Sequence, residues 1–482
     1  MMRPEYFRIR GYARKFDREK GRFIINISYE TAAPEPTERV IGVADAFGLG
    51  IDEAKRFIIY DDVELAIGPR DIVYITGDSG SGKSILLKAL EKDIREDLGL
   101  SCINIEEVQP ILGKPLIETV GSSLEEALEL LSRVGLNDAY LFLRHYEHLS
   151  EGQKYRWKLA KLIESKAQFW ILDEFASMLD RDTAKIIAYN LQKLARQQGR
   201  AVLAATCHTD LHEDLNPSVH IHKRYGKEIK VSYHPNEPAR TCSLVREMKI
   251  EEGTYEDWKQ LAGFHYRSHR LGAYKKIFKL TRGEELCGII VYGLPTPLAY
   301  GRRRVLPKMP YQELCRVLST ITRVVVHPKY RTIGLGAKLI RETLPLAGTP
   351  YVELVAVMAK YNPFAERAGM ARVAESKPEP KLLRAAEELA SQGFNIHLLG
   401  SRRYIRTKLE TLTSEELEKV KKALSIAVEH PKILKKLMRK EMIFGYRKEG
   451  LATLEKADVN KLAELIYTLS ILLQTKVYLF WG

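Results

Sequence analysis

Asp71-Ile-Val-Tyr-Ile-Thr76 runs without a break into Gly77-Asp78-Ser79-Gly80-Ser81-Gly82-Lys83-Ser84, and ILLKALEKDI follows. The first stretch reads as a short apolar strand and the last has apolar residues at helical spacing, so the glycine-rich octet turns between them. Its pattern, GxxxxGK[ST], is that of a phosphate cradle. Glycines let successive backbone N–H groups face an anion, and the positive end of the following helix adds to the attraction. In such a cradle Lys83 reaches the β and γ phosphates of a nucleotide and the Ser84 hydroxyl ligates Mg²⁺.

A phosphate loop leaves many nucleotide-binding classes open, and residues downstream choose among them. Phe169-Trp-Ile-Leu-Asp173-Glu174 is an apolar strand ending in two carboxylates, with Asp173 placed to hold Mg²⁺ and Glu174 to polarise an attacking water. His148-Leu149-Ser150-Glu151-Gly152-Gln153 opens the helical pattern KYRWKLAKLI. Here the chain resembles the ABC ATPase family, whose signature reads LSGGQ at this place. Further matches in the family's order are Gln109 after the expected strand CINIEEV for the Q-loop, Ser177-Met-Leu-Asp180 for the D-loop, and His208 in Ala204-Ala-Thr-Cys-His for the switch histidine. The resemblance covers roughly residues 55 to 230. It implies that Gly77 through Ser84, Gln109, Ser150, Gly152, Gln153 and Asp173 bind ATP. Ser84, Gln109 and Asp173 would hold its Mg²⁺, with Glu174 and His208 as catalytic residues. It also implies a homodimer through these domains, because the signature of one closes over the γ-phosphate bound by another. Glu151, where the family has Gly, puts a carboxylate near the signature turn. Phe57 and Tyr60 both precede the loop at a distance suited to stacking on adenine. The gap of about 65 residues between loop and signature is short for a transporter-coupling subdomain.

With 482 residues, 45% hydrophobic and 29% charged, the chain is too long for one core and has the composition of a folded protein, so two main domains are expected. No apolar run reaches the roughly 18 residues needed to cross a bilayer. The nearest, 462–473, is interrupted by Glu464, Tyr467 and Ser470 and is expected as a buried helix. The opening MMRPEYFRIRGYARK is basic but has no apolar core, which argues against a secretion signal and for a cytoplasmic protein. Five scattered cysteines form no CxxC pair, and His220 and His222 alternate within the apolar SVHIH, so a structural role is expected for them rather than a metal.

Charge is unevenly divided at the Pro-containing stretch 233–240, which reads as a linker. Residues 1–235 hold 33 Lys and Arg against 36 Asp and Glu, net −3, whereas residues 236–482 hold 43 against 26, net +17. The excess clusters in Arg302-Arg303-Arg304 with Lys308, in Arg402-Arg403 with Arg406 and Lys408, and from Lys432 through Lys440. Such clusters attract polyanions through counterion release, so the expected partner is nucleic acid, an RNA such as tRNA or rRNA, and not a membrane.

In that basic half, Thr320-Ile-Thr-Arg-Val-Val-Val-His-Pro328 reads as a strand that runs into Lys329-Tyr-Arg331-Thr-Ile333-Gly334-Leu335-Gly336 and the helical pattern AKLIRETL. A strand, a Gly-containing turn and a helix N-terminus make a second anion site. The strand pattern Tyr351 to Val357 follows, then Asn362-Pro-Phe-Ala-Glu-Arg-Ala-Gly-Met370. These residues are similar to those of the GNAT acetyltransferase family, with Arg331, Gly334 and Gly336 matching its [RQ]-x-x-G-x-[GA] motif and Asn362 opening its second motif. The resemblance implies acetyl-CoA as acyl donor. Arg331 and the backbone N–H groups of Ile333, Gly334, Leu335, Gly336 and Ala337 would grip the pyrophosphate, and the strand from Val324 to Val326 would pair with the pantetheine arm. Two departures stand out: Ala365 takes the place of a tyrosine acid, and Thr320 and Thr322 take that of a glutamate base. Glu353, His265, Tyr361 and His327 are the proton-carrying candidates, each with a structural role as its alternative, and Glu353 and His265 lead. Phe264-His-Tyr266 with NPF and AGM resembles a branch of phage acyltransferases that modify adenine in nucleic acid; an aromatic helix face packed on the sheet is the other reading.

The expected fold is α/β, with a P-loop ABC ATPase domain over 1–235 and a GNAT acetyltransferase domain over 236–482 that carries a basic helical insertion at about 376–475. Local expectations there are a strand at 242–250, a helix at 255–269, strands at 274–281 and 287–292, and a returning strand at 476–481. The expected function is ATP-dependent acetylation of an amine on RNA by acetyl-CoA. The alternatives are acetylation of a protein lysine or N-terminus, and a non-catalytic, CoA-sensing ABC clamp on nucleic acid.

Overall fold

A computed structural model describes residues 7–31, 34–51, 56–265, 270–357, 359, 362–438 and 447–482. Strands β1 (Phe7–Asp17), β2 (Arg22–Thr31) and β3 (Arg56–Leu65) form an antiparallel sheet. A second sheet combines β4 (Ile72–Gly77), β5 (Cys102–Asn104), β6 (Phe169–Leu172), β7 (Ala201–Ala205), β8 (Val219–Lys223) and β9 (Ile229–Tyr233) in the order β5-β6-β7-β4-β8-β9. Its strands are parallel except for β9, which pairs antiparallel with β8. β4 is buried at every residue because both faces of this sheet are covered, which explains its unbroken apolar run. On one face Leu86, Leu87, Leu90 and Ile94 of the helix Lys83–Glu96 pack with Phe23, Ile25 and Leu65; on the other Trp157 and Trp170 anchor a separate core.

The third sheet contains β10 (Met248–Glu252), β11 (Tyr274–Arg282), β12 (Glu285–Gly293), β13 (Leu318–Val326), β14 (Tyr351–Ala356), β15 (Ala371–Ser376) and β16 (Lys476–Trp481), in the order β10-β11-β12-β13-β14-β16-β15. β13 and β14 are parallel, and their register covers only Leu318–Thr320 opposite Tyr351–Glu353. β16 runs antiparallel to both β14 and β15. Between β15 and β16 in sequence lie helices Pro380–Ser391, Arg402–Glu410, Ser414–Ala427, Pro431–Met438, Arg447–Glu455 and Val459–Leu472. They share a core of their own, with Leu462, Leu465, Ile466 and Leu469 of the last helix inside it. No described helix is long and apolar enough to cross a membrane. Residues 1–270, 278–289 and 324–339 make one compact unit, and residues 271–277, 290–323 and 340–482 a second.

Three local expectations need correction. The strand expected from Cys242 begins only at Met248, because Ser243 is held by both its backbone N–H and its hydroxyl on Asp214, starting a 3₁₀ turn over Ser243–Glu247. The helix expected over 255–269 starts at a capping box of Thr254 and Asp257 but stops at Leu261, passing into a 3₁₀ turn at Ala262–Phe264. CINIEEV is strand for three residues only, since Asn104 and Glu107 form a capping box that opens the turn Ile105–Glu107.

Candidate functional site

The octet after β4 is shaped by close approach. Gly77 sits at φ 140°, and a Cβ there would lie 1.8 Å from the carbonyl oxygen of Lys223 on β8, so no side chain fits. Lys83 is nearly buried, with Nζ donating to the carbonyls of Gly77 (2.9 Å) and Asp78 (2.7 Å). Ser84 Oγ donates to Asp173 Oδ1 at 3.1 Å, bringing together two of the expected Mg²⁺ ligands, one in the helix after β4 and the other just past β6, although β7 lies between those strands. Ser81 Oγ is buried and has no hydrogen-bond partner among the described residues, which costs free energy unless a ligand satisfies it. Glycine cradle, lysine and orphan hydroxyl together suit a Mg²⁺-bound polyphosphate. Tyr60 is 1% exposed and donates to the Gly82 carbonyl (3.0 Å), so its ring offers no stacking surface, whereas Phe57 is 51% exposed.

Glu174 is exposed and holds φ 50°, a left-handed conformation costing a non-glycine residue about 1–2 kcal/mol. Its neighbours fix that turn: Glu174 N–H donates to Asp173 Oδ1 (3.0 Å), Phe175 N–H to the Ala205 carbonyl (2.7 Å) and Ala176 N–H to Tyr155 Oη (3.1 Å). Ser150 and Gln153 form a reciprocal capping box at the start of helix Glu151–Glu164. Glu151 points to solvent and pairs with Lys154 at 2.8 Å, so the departure from LSGGQ sits on the outside of the turn. A Cβ on Gly152 would lie 3.4 Å from the Met178 carbonyl, which brings the signature turn against Ser177–Asp180. Asp180 caps helix Arg181–Gln198, the His208 carbonyl accepts from Tyr74 Oη, and Gln109 is exposed. Among the described residues, no hydrogen bond joins Gln109, Ser150 or His208 to the octet. His220 Nε2 and His222 Nδ1 both lie within 3.0 Å of Thr76 Oγ1, so this pair braces β4, and burial holds His220 down to about 4. Among the described residues no group of three His, Cys, Asp or Glu is placed to hold a metal.

At the second strand-loop-helix, β13 passes through a 3₁₀ turn at Pro328–Tyr330 into helix Leu335–Thr343. Thr332 (φ 74°) and Gly334 (φ 89°) are both left-handed, and a Cβ on Gly334 would meet nothing within 4 Å. Ile333, Leu335 and Ala337 bury their side chains, Gly336 is half-buried, and Val324 and Val326 flank the buried Val325. Asn362 is exposed, and Ala365 is fully buried where a proton donor would be wanted. Side chains from the first half fasten this loop. Lys329 Nζ pairs with Asp182 at 2.6 Å, Tyr330 Oη lies 3.2 Å from Asp182 and donates to Glu285 (2.6 Å), and Thr332 Oγ1 accepts from Asn190 Nδ2 (2.8 Å). Arg331 folds beneath the loop, donating to the Val326 carbonyl (3.0 Å) and the Asn137 carbonyl (2.5 Å). Burial alone would raise the Asp182 carboxyl, but Lys329 and Arg282 beside it hold it below its usual range. The loop 327–334 and the residues that fasten it, Asn137, Asp182, Asn190, Arg282 and Glu285, all belong to the first unit.

The proton-carrying candidates are differently placed. His265 is half-buried with its ring edge-on to Trp258, and Phe264 packs edge-on against His327 at 5.0 Å, which is the aromatic-face arrangement. Burial also keeps His327 below its ordinary value, while its Nδ1 accepts from the Lys329 N–H (3.3 Å). Tyr266 and Tyr361 lie outside the described residues. Glu353, expected as a base, is instead the centre of a buried polar cluster on β14. Its oxygens accept from Arg302 Nε (2.9 Å) and Nη2 (2.7 Å), Thr320 Oγ1 (2.7 Å) and Tyr478 Oη (2.9 Å). Four donors fill the sites a carboxylate offers, leaving none for a substrate proton. The same pair removes Arg302 from the surface cluster expected at 302–304; Arg303 and Arg304 alone are exposed there.

No model of a known protein family matches the chain. It is similar to the cytochrome c biogenesis ATP-binding export protein CcmA of Bartonella henselae, 28% identical over 198 residues, which covers 36% of this chain and 92% of that one. It is also similar to the lipoprotein-releasing system ATP-binding protein LolD 1 of Rhodospirillum rubrum, 26% identical over 234 residues, 41% of this chain and 99% of that one. A solved dimeric ATP-binding cassette, bound to ADP and Pi in a post-hydrolysis state, aligns at a TM-score of 0.31 and 18% identity over 37% of this chain and 92% of its own. The similarity to these ATP-binding proteins supports an ABC-type ATPase domain over more than a third of the chain.

Proposed function

We propose that this chain is an ATP-switched acetyltransferase that transfers the acetyl group of acetyl-CoA to an amine on RNA. The observation that carries the proposal is the fastening of loop 327–334 to Asn137, Asp182 and Asn190. Asn137 precedes the signature turn and Asp182 follows the D-loop, so any shift of those elements with nucleotide must pull on the loop. Such coupling is reciprocal in free energy: a nucleotide that alters acetyl-CoA affinity has its own affinity altered equally by acetyl-CoA.

In the ATPase half, Lys83 and the backbone of 77–84 bind the phosphates, and Ser84 and Asp173, with Gln109 from the family pattern, hold Mg²⁺. The metal, when bound, neutralises charge developing on the β and γ phosphate oxygens. Glu174 orients the attacking water, and His208 contacts the γ-phosphate. Ser150, Gly152 and Gln153 of a second copy complete the site, which makes the working species a head-to-tail homodimer. In the other half, the backbone of 333–337 takes the pyrophosphate, and β13, whose register with β14 ends at Thr320, offers Val324–Val326 to the pantetheine arm. A backbone N–H there stabilises the oxyanion formed when the amine attacks the thioester.

One observation favours a second reading. With the lone pairs of Glu353 filled and Ala365 buried, this half has no assigned acid or base, as a CoA-sensing clamp on nucleic acid would not need one.

Radiolabelled acetyl-CoA supplied with ATP and RNA is expected to place label in RNase-sensitive material, and Asp182→Ala is expected to make the labelling rate independent of ATP. Label in protein alone would move the function to protein acetylation, and no label in either would favour the clamp. Gly334→Val is expected to weaken acetyl-CoA binding at least a hundredfold by calorimetry. Its side chain would enter the open space meant for the pyrophosphate, at a left-handed φ that costs about 1–2 kcal/mol. Unchanged affinity would remove the case for this site.

A further inference from the structure

The helix Pro431–Met438 buries Ile433, Leu434 and Leu437 in the helical core and turns Lys432, Lys435 and Lys436 outward. It contains no acidic residue, and lysines three and four positions apart repel one another along its face. Elsewhere this chain compensates such charges within the helix: in Ser414–Ala427, Lys419 pairs with Glu415 at 2.9 Å and Lys421 with Glu418 at 2.7 Å. The three lysines of 431–438 instead line a cavity of about 760 Å³ with Arg402, Lys461 and Tyr467. Its one carboxylate, Glu464, is divided between Lys436 at 2.9 Å and Lys461 at 3.7 Å, so five cations face a single anion. The Arg402 guanidinium lies over the Tyr467 ring, 4.3 Å from its centroid, and so presents a supported flat cation at the cavity wall.

We propose that this cavity binds single-stranded RNA, with phosphates against Lys432, Lys435 and Lys436 and a base stacked on the Arg402 guanidinium that Tyr467 supports. The inference rests on the RNA reading above and gives the RNA a place. A lone phosphate would need one or two of these cations. Five spread over three helices suit a chain of phosphates, and a backed planar surface beside a cationic groove is the pairing that binds unstacked bases.

The test uses the full chain and a fluorescent single-stranded RNA oligonucleotide followed by anisotropy across a salt series. Lys432→Glu with Lys435→Glu, both at exposed positions, is expected to weaken binding at least tenfold. It should also make the log–log salt slope shallower by about 1.4, at ~0.7 per lost phosphate contact on a single strand. The charge-matched control, Lys419→Glu with Lys422→Glu, is expected to change the dissociation constant less than threefold. Unchanged binding and slope in the first pair, or an equal loss in the control, overturns the proposal; so does displacement of the RNA by inorganic phosphate at constant ionic strength, which would mark a small-anion site. Loss of binding in the first pair, with no label reaching RNA in the wild type, keeps the cavity and removes the acetylation reading. Labelled RNA with binding unchanged in the first pair does the reverse.

Discussion

Glu174→Gln binds ATP, remains dimeric and hydrolyses at least a hundredfold more slowly than the wild type: this is the expected result, to be read by phosphate release and light scattering. The substitution removes one negative charge and keeps the side chain's shape. The bonds that fix the turn involve backbone N–H groups of Glu174, Phe175 and Ala176, so the left-handed conformation survives the change. Ser84 and Asp173 are untouched, and so is Lys83, which leaves nucleotide and metal affinity in place. What disappears is the carboxylate proposed to polarise the attacking water. On the proposed composite site, in which hydrolysis releases the two copies from each other, the slow variant is expected to accumulate in the closed pair. A variant that stays monomeric with ATP would disprove the composite site.

Arg302→Ala carries the other large effect, and it falls on stability. Removing the guanidinium strands Glu353 in the interior with only Thr320 and Tyr478 as donors, and breaking a buried pair from one side costs about 3–5 kcal/mol. Thermal melting is expected to show the loss directly, and Arg302→Met with Glu353→Leu is expected to recover most of it, because an apolar pair of similar volume leaves no charge behind. A surface arginine would behave in the opposite way, with an unchanged melting point and a weaker salt dependence of RNA binding. If Arg302→Ala melts with the wild type, the buried cluster is not what holds this end of the sheet.

Arg302 also marks where sequence reading runs out. The phosphate loop was legible because its glycines answer a backbone demand within eight residues, and the Ser84 and Asp173 arrangement follows from β4 and β6, parallel strands that end at the same end of one sheet with β7 between them. The same locality made β13, β14 and the second loop readable. Arg302 sits in a run of three arginines, and nothing nearby distinguishes it from Arg303; its partner is 51 positions away on β14. Tyr60 and Phe57 were indistinguishable for a similar reason, since only the packing under Gly82 decides which ring is covered. The fastening of the second loop by Asp182 and Asn190 joins residues more than 140 positions apart and has no local signal at all. Capping side chains defeated the remaining expectations, as at Asn104, where one hydrogen-bonding residue ended a strand that its apolar neighbours would have continued.

The strand β16 imposes an order on assembly. It fills the gap between β14 and β15, and its Tyr478 meets Glu353 across 125 positions of chain. At ~5–20 residues per second, β14 leaves the ribosome on the order of ten seconds before the strand that completes it. During that interval the edge of β14 that β16 covers stands unpaired, and the Arg302–Glu353 cluster lacks its tyrosine. Helix Val459–Leu472, whose Leu462, Leu465, Ile466 and Leu469 complete the helical core, directly precedes β16, so the helical core and the sheet close together, and this half of the molecule is most exposed to misassembly until they do.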